Sequence, residues 1–164
     1  MSSTMRLNFA QMCARFANDE IAAVQFMQRR GLIHGRRICP RCGRYMVLRF
    51  REDRDDVRWR CGRKECRKEL SAKTRTWFQG CEQPIKTMLL FIRAWAEKWT
   101  RLAFCRGAFD INEAAGVRLN AAMRHVAEEW LLKSPLHVGG SSLTVEVNET
   151  LFSMRKYNRG RVLP

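Results

Sequence analysis

Apolar and polar positions change rhythm several times along this chain. From Asn8 to Gly31 the spacing is helical. Ile21, Val24, Phe26 and Met27 form a stripe, Asn18 or Asp19 can cap its start, and Gly31 stands where a C′ glycine ends a helix. A short helix, a break and a longer helix are expected there. Tyr45–Phe50 then reads as a strand and Val57–Arg60 as its partner, with the charged link Arg51–Asp56 as the turn. Ile85–Trp95 predicts a strongly apolar helix. A second helix is expected to start after Asp110 as N-cap and to break at Gly116-Val117. A third begins near Asn120, carries Ala122, Met123, Val126, Ala127, Trp130 and Leu131, and ends at Pro135. After Gly139-Gly140-Ser141-Ser142, residues 143–149 alternate like a half-buried strand, with Leu143, Val145 and Val147 on one face. No internal repeat or low-complexity tract interrupts the series.

These rhythms predict an α+β chain in four segments. They are an N-terminal helix pair (1–31), a Cys-rich ribbon (32–80), a helical module (81–138), and a terminal strand with a basic tail (139–164). The ribbon segment is rich in Arg and Cys and poor in large aliphatics, so its hydrophobic core alone would not hold it.

Its cysteines supply what the core lacks. Cys39-x2-Cys42 and Cys61-x4-Cys66 are two close pairs, separated by 18 residues. In a reducing compartment such pairs read as metal ligands rather than disulfides. Four thiolates on two tight turns suit one tetrahedral, structural zinc ion, whose binding would be folding energy. Gly43 and Gly62, each directly after a cysteine, are expected to let the backbone turn towards the sulfurs. Cys13, Cys81 and Cys105 stand alone on apolar faces and read as small buried hydrophobes.

Charge then narrows the choice of partner. The chain carries a net +15 with a pI near 10.4. Between Arg29 and Arg75 stand 17 Lys and Arg against 6 Asp and Glu, a net +11 in the cysteine-bearing segment. A polyanion is the expected partner, double-stranded DNA in the first instance. Arg63, Lys64 and Arg67, on the second cysteine turn, are candidate phosphate contacts. No run approaches the roughly 18 apolar residues of a spanning helix, and no signal-peptide h-region is visible near the start. Neither a membrane nor a small-molecule substrate is expected.

Asp110–Val117 followed by Arg118–Val126 has the rhythm of a helix-turn-helix. Small alanines would let the helices approach, Gly116 would make the turn, and Val117, Met123 and Val126 would lock the pair. Arg118, Asn120, Ala121 and Arg124 would then lie on the outer face of the recognition helix. Arg and Asn are good readers of guanine and adenine edges.

The whole order resembles the N-terminal part of Merlin-type DDE transposases and their bacterial insertion-sequence relatives of the 1595 group. The residues that carry the resemblance are CPRCG at 39–43, the segment from Arg58-Trp59-Arg60-Cys61 through Ser71-Ala72-Lys73-Thr74 to Trp77-Phe78, and VEVNETLFSMRKYNRGR at 145–161. The likeness spans nearly the whole chain. It implies that the ribbon and helix-turn-helix precede an RNase H-like domain, whose first strand, 143–149, carries the first metal-binding aspartate. Asn148 stands at that position. Two-metal phosphoryl transfer needs anionic oxygens, and an amide offers only a neutral carbonyl. The sequence also stops at Pro164, before strands that would bring the remaining acids. The resemblance therefore implies ancestry without activity, in either a domesticated transposase or a fragment of a longer inactive protein.

The expectation from the sequence is a non-catalytic, zinc-containing DNA-binding protein of transposase origin, located in the nucleus. It would act as an assembly, chromatin or transcription factor. Strand 143–149 would pair with a partner strand or with a second copy, because an isolated strand leaves its backbone groups unpaired. The rival reading is a protein-interaction adaptor in a nuclear chromatin or RNA-processing complex, with the ribbon as scaffold and no direct reading of DNA.

Overall fold

The structure of the protein is a computed structural model, and it describes residues 7–135 together with Thr144 and Glu146. The expected strand at 143–149, including Asn148, and the basic tail after it otherwise lie outside the described residues. The chain divides into two compact units, Met1–Val126 and Ala127–Pro164.

Two short helices open the first unit, α1 (Phe9–Phe16) and α2 (Glu20–Arg29). Asn8 caps α1 in a capping box with Gln11, and Asp19 caps α2 by accepting the Ala22 N–H. The end of α2 is a Schellman turn. Gly31 at φ +72° donates to Gln28 O, and Leu32 donates to Met27 O. The helix pair and its glycine stop are those expected. Val24 and Met27 of the stripe are fully buried, whereas Ile21 is exposed.

A three-stranded antiparallel sheet follows, in the order β1 (Met46–Arg51), β2 (Asp56–Cys61), β3 (Glu69–Ser71). The first two strands match expectation to within two residues. The charged link forms a 3₁₀ turn, Glu52–Arg54, closed by Asp55 at φ +44°. The inner face carries Met46, Leu48, Val57, Trp59 and Leu70 into two cores. The outer face carries Val47, Arg49, Arg51, Asp56, Arg58, Arg60 and Glu69.

After a loop over 72–84 come α3 (Ile85–Ala96), α4 (Leu102–Phe109) and α5 (Glu113–Lys133). Helix α3 is the apolar one expected. One of its sides packs on α1 and α2 through Ile85, Met88, Leu89 and Leu90. Val57 of β2 and Ala72 and Phe78 of the loop join the same core. Phe91 faces a second core with Cys105, Ile111 and Met123. The N-terminal helices, the back of the sheet and α3 therefore form one packed body, although the sheet separates the helices in sequence.

The helical module departs from expectation in three ways. Residues 102–109 form α4, a helix not among those expected. Asp110 is not the N-cap of the helix that follows. It ends α4 in the left-handed region at φ +52°, and Asn112 accepts the Ala115 N–H at the start of α5. The break at Gly116-Val117 is absent, because α5 runs through both residues. A mid-helix glycine costs only about 1 kcal/mol relative to alanine, and here it allows close packing. A Cβ at Gly116 would stand 3.1 Å from Leu102 Cδ2 of α4. Met123 is buried as expected, but Val117 is 50% exposed and Val126 is also exposed, so neither locks the helix pair. Among the described residues no helix is long and apolar enough to cross a membrane.

Candidate metal centre

The two cysteine pairs sit on two similar turns. In the first, an isolated bridge pairs Ile38 with Tyr45, the Cys39 N–H donates to Arg44 O at 2.8 Å, and the Gly43 N–H donates to Cys39 O at 2.9 Å. In the second, Cys61 ends β2 and its N–H donates to Lys68 O at 2.9 Å, while the N–H groups of Cys66 and Arg67 both donate to Arg63 O. Each turn needs a left-handed residue directly after its second cysteine. Gly43 fills that position at φ +71° and Arg67 at φ +44°. Gly43 is thus the left-handed residue of the first turn, whereas Gly62 is not left-handed and precedes the Arg63 N–H that approaches the Cys61 sulfur.

The turns bring the Sγ atoms of Cys39, Cys42, Cys61 and Cys66 to within 4.8 Å of one another. Cys39 and Cys66 approach to 3.6 Å, and Cys42 and Cys61 to 3.4 Å. A tetrahedral ion with Zn–S bonds of about 2.3 Å sets its sulfurs about 3.8 Å apart, so the donor set suits such an ion. Met46, Trp59 and Leu70 pack around the group. All seven cysteines are free thiols. Cys105 is buried as expected, while Cys13 and Cys81 are half-buried.

The thiols are electrostatically unequal. Burial pushes the Cys39 thiol up, but the backbone N–H groups of Arg41 and Cys42 together with the neighbouring thiols hold it at about 7. At Cys61 the Arg63 N–H lowers the pKa, yet burial and three sulfur neighbours push it up to about 11. Without a cation, one thiolate in the group makes the next costly. A bound metal ion removes that conflict, because all four sulfurs can then be anionic.

Basic side chains surround this group. Arg41, Arg44, Arg63, Lys64 and Arg67 are all exposed on the two turns. Arg63 Nε donates to Glu65 at 2.7 Å, and Arg67 Nε donates to Lys64 O at 3.0 Å, so both carry local duties as well. Sequence reasoning missed Arg49, Arg51, Arg58 and Arg60, which share the outer face of β1 and β2. Their signal was the alternation Arg49-x-Arg51 and Arg58-x-Arg60, which places each pair on one face of its strand.

The candidate base-reading residues separate in the structure. Arg118, Ala121 and Arg124 are exposed on α5. Asn120 is not on an outer face. It is half-buried, accepts from Thr100 Oγ1 at 2.7 Å, and donates to Thr100 O at 3.2 Å and Gly116 O at 2.9 Å. It ties α5 to the segment before α4. Asn148 lies outside the described residues.

Comparison with known proteins gives one distant likeness. The chain is 24% identical over 178 aligned positions to the male abnormal protein mab-31 of Caenorhabditis elegans, an alignment covering 96% of this chain and 40% of that protein. The chain thus spans less than half the length of the curated relative it matches. No family model and no solved structure matches it.

Proposed function

We propose that this chain is a zinc-containing DNA-binding protein related to the N-terminal regions of Merlin-type transposases, and that it binds without catalysing strand transfer. The observation that supports this most is the coincidence of the four-sulfur group with the segment that carries +11 of the chain's net +15. Arg41, Arg44, Arg63, Lys64 and Arg67 rim the two turns. In this reading one zinc ion, held by Cys39, Cys42, Cys61 and Cys66, has a structural role. It fixes turns too short of apolar residues to fold unaided, and the turns then present cations at a set geometry to a phosphate backbone.

Helices α4 and α5, joined at Asp110–Asn112, take the place of the helix-turn-helix in this proposal. Arg118 and Arg124 would face the duplex, and Asn120 would serve the fold. The neutral Asn148, where the resembled family has its first metal-binding aspartate, supports a binding role over a catalytic one. A nuclear location and the pairing of strand 143–149 with a partner strand or a second copy belong to the same proposal.

One observation favours the rival adaptor reading. Trp130 is 61% exposed and Leu132 75%, with Leu131 also exposed, an apolar run of the kind that docks on proteins. A salt series separates the two. Binding to a random duplex that falls steeply with salt supports the DNA reading, whereas no binding at physiological salt supports the adaptor.

A further inference from the structure

The outer face of the ribbon sheet carries four arginines, and the ion pairs of the fold do not answer all of them. Arg49 of β1 lies directly opposite Arg58 of β2, and Arg60 lies opposite Glu69 of β3. Like charges directly opposite destabilise a sheet. The central anion is Glu69, which three guanidinium groups share at 3.4 Å (Arg51), 3.8 Å (Arg58) and 3.7 Å (Arg60). The sharing is incomplete. Arg58 Nε is buried and lacks a hydrogen-bond acceptor, and Arg49 has no ion pair among the described residues. The face forms an open cleft of about 760 Å³ that continues onto Arg63 and Lys64 of the second cysteine turn. Asp53 also chelates Arg51 at 2.9 and 3.0 Å, and Asp56 lies 3.7 Å from Arg58, so what the face leaves unanswered is Arg49 and the Arg58 Nε donor.

Resting on the DNA-binding reading above, we infer that this face is the track for the phosphate backbone of duplex DNA, and that Glu69 is a built-in stand-in for a phosphate. Side chains two residues apart on a strand are spaced by roughly 7 Å, of the order of the separation between successive phosphates on one DNA strand. Arg49 and Arg51, and Arg58 and Arg60, therefore form two parallel rows of cations at a phosphate-like repeat. In the free protein Glu69 draws three of these guanidinium groups towards one point, while Asp53 also holds Arg51 and Asp56 also pairs with Arg58. An incoming phosphate offers the missing acceptor to Arg58 Nε and a partner to Arg49, and it competes with Glu69 for the rest. Glu69 thereby lowers the affinity for polyanions while keeping the free sheet folded.

The experiment is a salt-series anisotropy titration of the full chain, metal content verified, with a fluorescent random-sequence duplex and, separately, a single-stranded RNA. Arg49→Gln removes a guanidinium with no ion pair among the described residues. It is expected to weaken duplex binding severalfold and to flatten the salt slope by about one unit. Glu69→Gln is expected to tighten duplex binding severalfold, at unchanged metal content. If wild type binds the duplex and Arg49→Gln and Arg60→Gln bind it equally well, the track is elsewhere and the DNA reading survives. If wild type binds no nucleic acid, both fail. Preference for the RNA, lost in Arg49→Gln, would overturn the duplex assignment. Weaker binding by well-folded Glu69→Gln would show that the carboxylate orders the arginines for the ligand, which overturns the stand-in role.

Discussion

The carboxylate of Glu20, the first residue of α2, caps the first turn of α3. Glu20 Oε1 accepts the Ile85 N–H at 2.7 Å, and Oε2 accepts the Lys86 N–H at 2.8 Å. Helix α3 begins after Pro84 with no side-chain cap of its own, so a residue 65 positions away in sequence supplies it. Glu20 is only 3% exposed. Glu20→Ala would leave two N–H groups without acceptors and is expected to cost about 1–3 kcal/mol in urea unfolding.

The same site predicts a pH dependence. Burial pushes the Glu20 carboxyl above its ordinary 4.5, against the lowering effect of the two N–H groups and the Lys86 charge. A carboxyl raised on folding contributes stability below its ordinary value and loses it as the pH rises through the folded value. The difference in urea midpoint between wild type and Glu20→Gln should therefore shift against wild type as the pH climbs from 4.5. A pH-independent difference would contradict this.

Metal removal is expected to reach beyond the ribbon. Val57, Ala72 and Phe78 share a core with Met12, Phe16, Val24 and Met27 of the N-terminal helices. Chelation, or Cys61→Ser, should therefore reduce the far-UV helical signal along with that of the sheet. Elemental analysis of protein purified without chelator should give one zinc per chain. Because the thiols must ionise to bind, affinity should fall on acidification. A helical signal untouched by chelation would show that the helices stand alone.

Gly116 offers a test of the α4–α5 contact. A β-branched side chain there would press on Leu102 and on Cys105 and Ile111 beyond it. Gly116→Val is expected to cost about 1–3 kcal/mol through overpacking. Thermal unfolding at no cost would mean that the two helices separate easily.

The exposed arginines of α5 and the half-buried asparagine should behave differently. Arg118→Ala is expected to narrow the gap between preferred and random duplexes, by about 1–3 kcal/mol if it makes a bidentate base contact. Asn120→Ala should lower stability instead, because it removes the link to Thr100. Equal weakening of every duplex by Arg118→Ala would assign that residue to phosphates.

Much of the scaffold was legible because its signals are local. The spacing of Cys39, Cys42, Cys61 and Cys66 pointed to the sulfur group, and Asp19 and Gly31 marked the ends of α2. The misreadings came from glycine and from burial at a distance. Gly116 was read as a turn because a helical glycine normally weakens a helix, yet its reason is Leu102 on another helix. Asn120 looked like a base reader because its hydrogen-bond partner, Thr100, belongs to a segment whose path the sequence does not reveal. Helix α4 is short and lacks a side-chain cap, although Leu102, Cys105 and Phe109 had helical spacing. The three-residue strand β3 is too short to show alternation. Arg49, Arg51, Arg58 and Arg60 were counted as net charge, and only strand register makes them a surface.

Helices α2 and α3 pack together although the whole ribbon lies between them in sequence. Without the ribbon's own structure, their docking would require closing a long flexible loop, at an entropic cost that rises with loop length. The sheet and its sulfur group gather that loop into a short, stiff connection whose ends already lie in the shared core. The metal would then act as a cross-link of reversible strength, doing for this fold what a disulfide does in an oxidising compartment. Its supply would set the rate at which newly made chains assemble their helices.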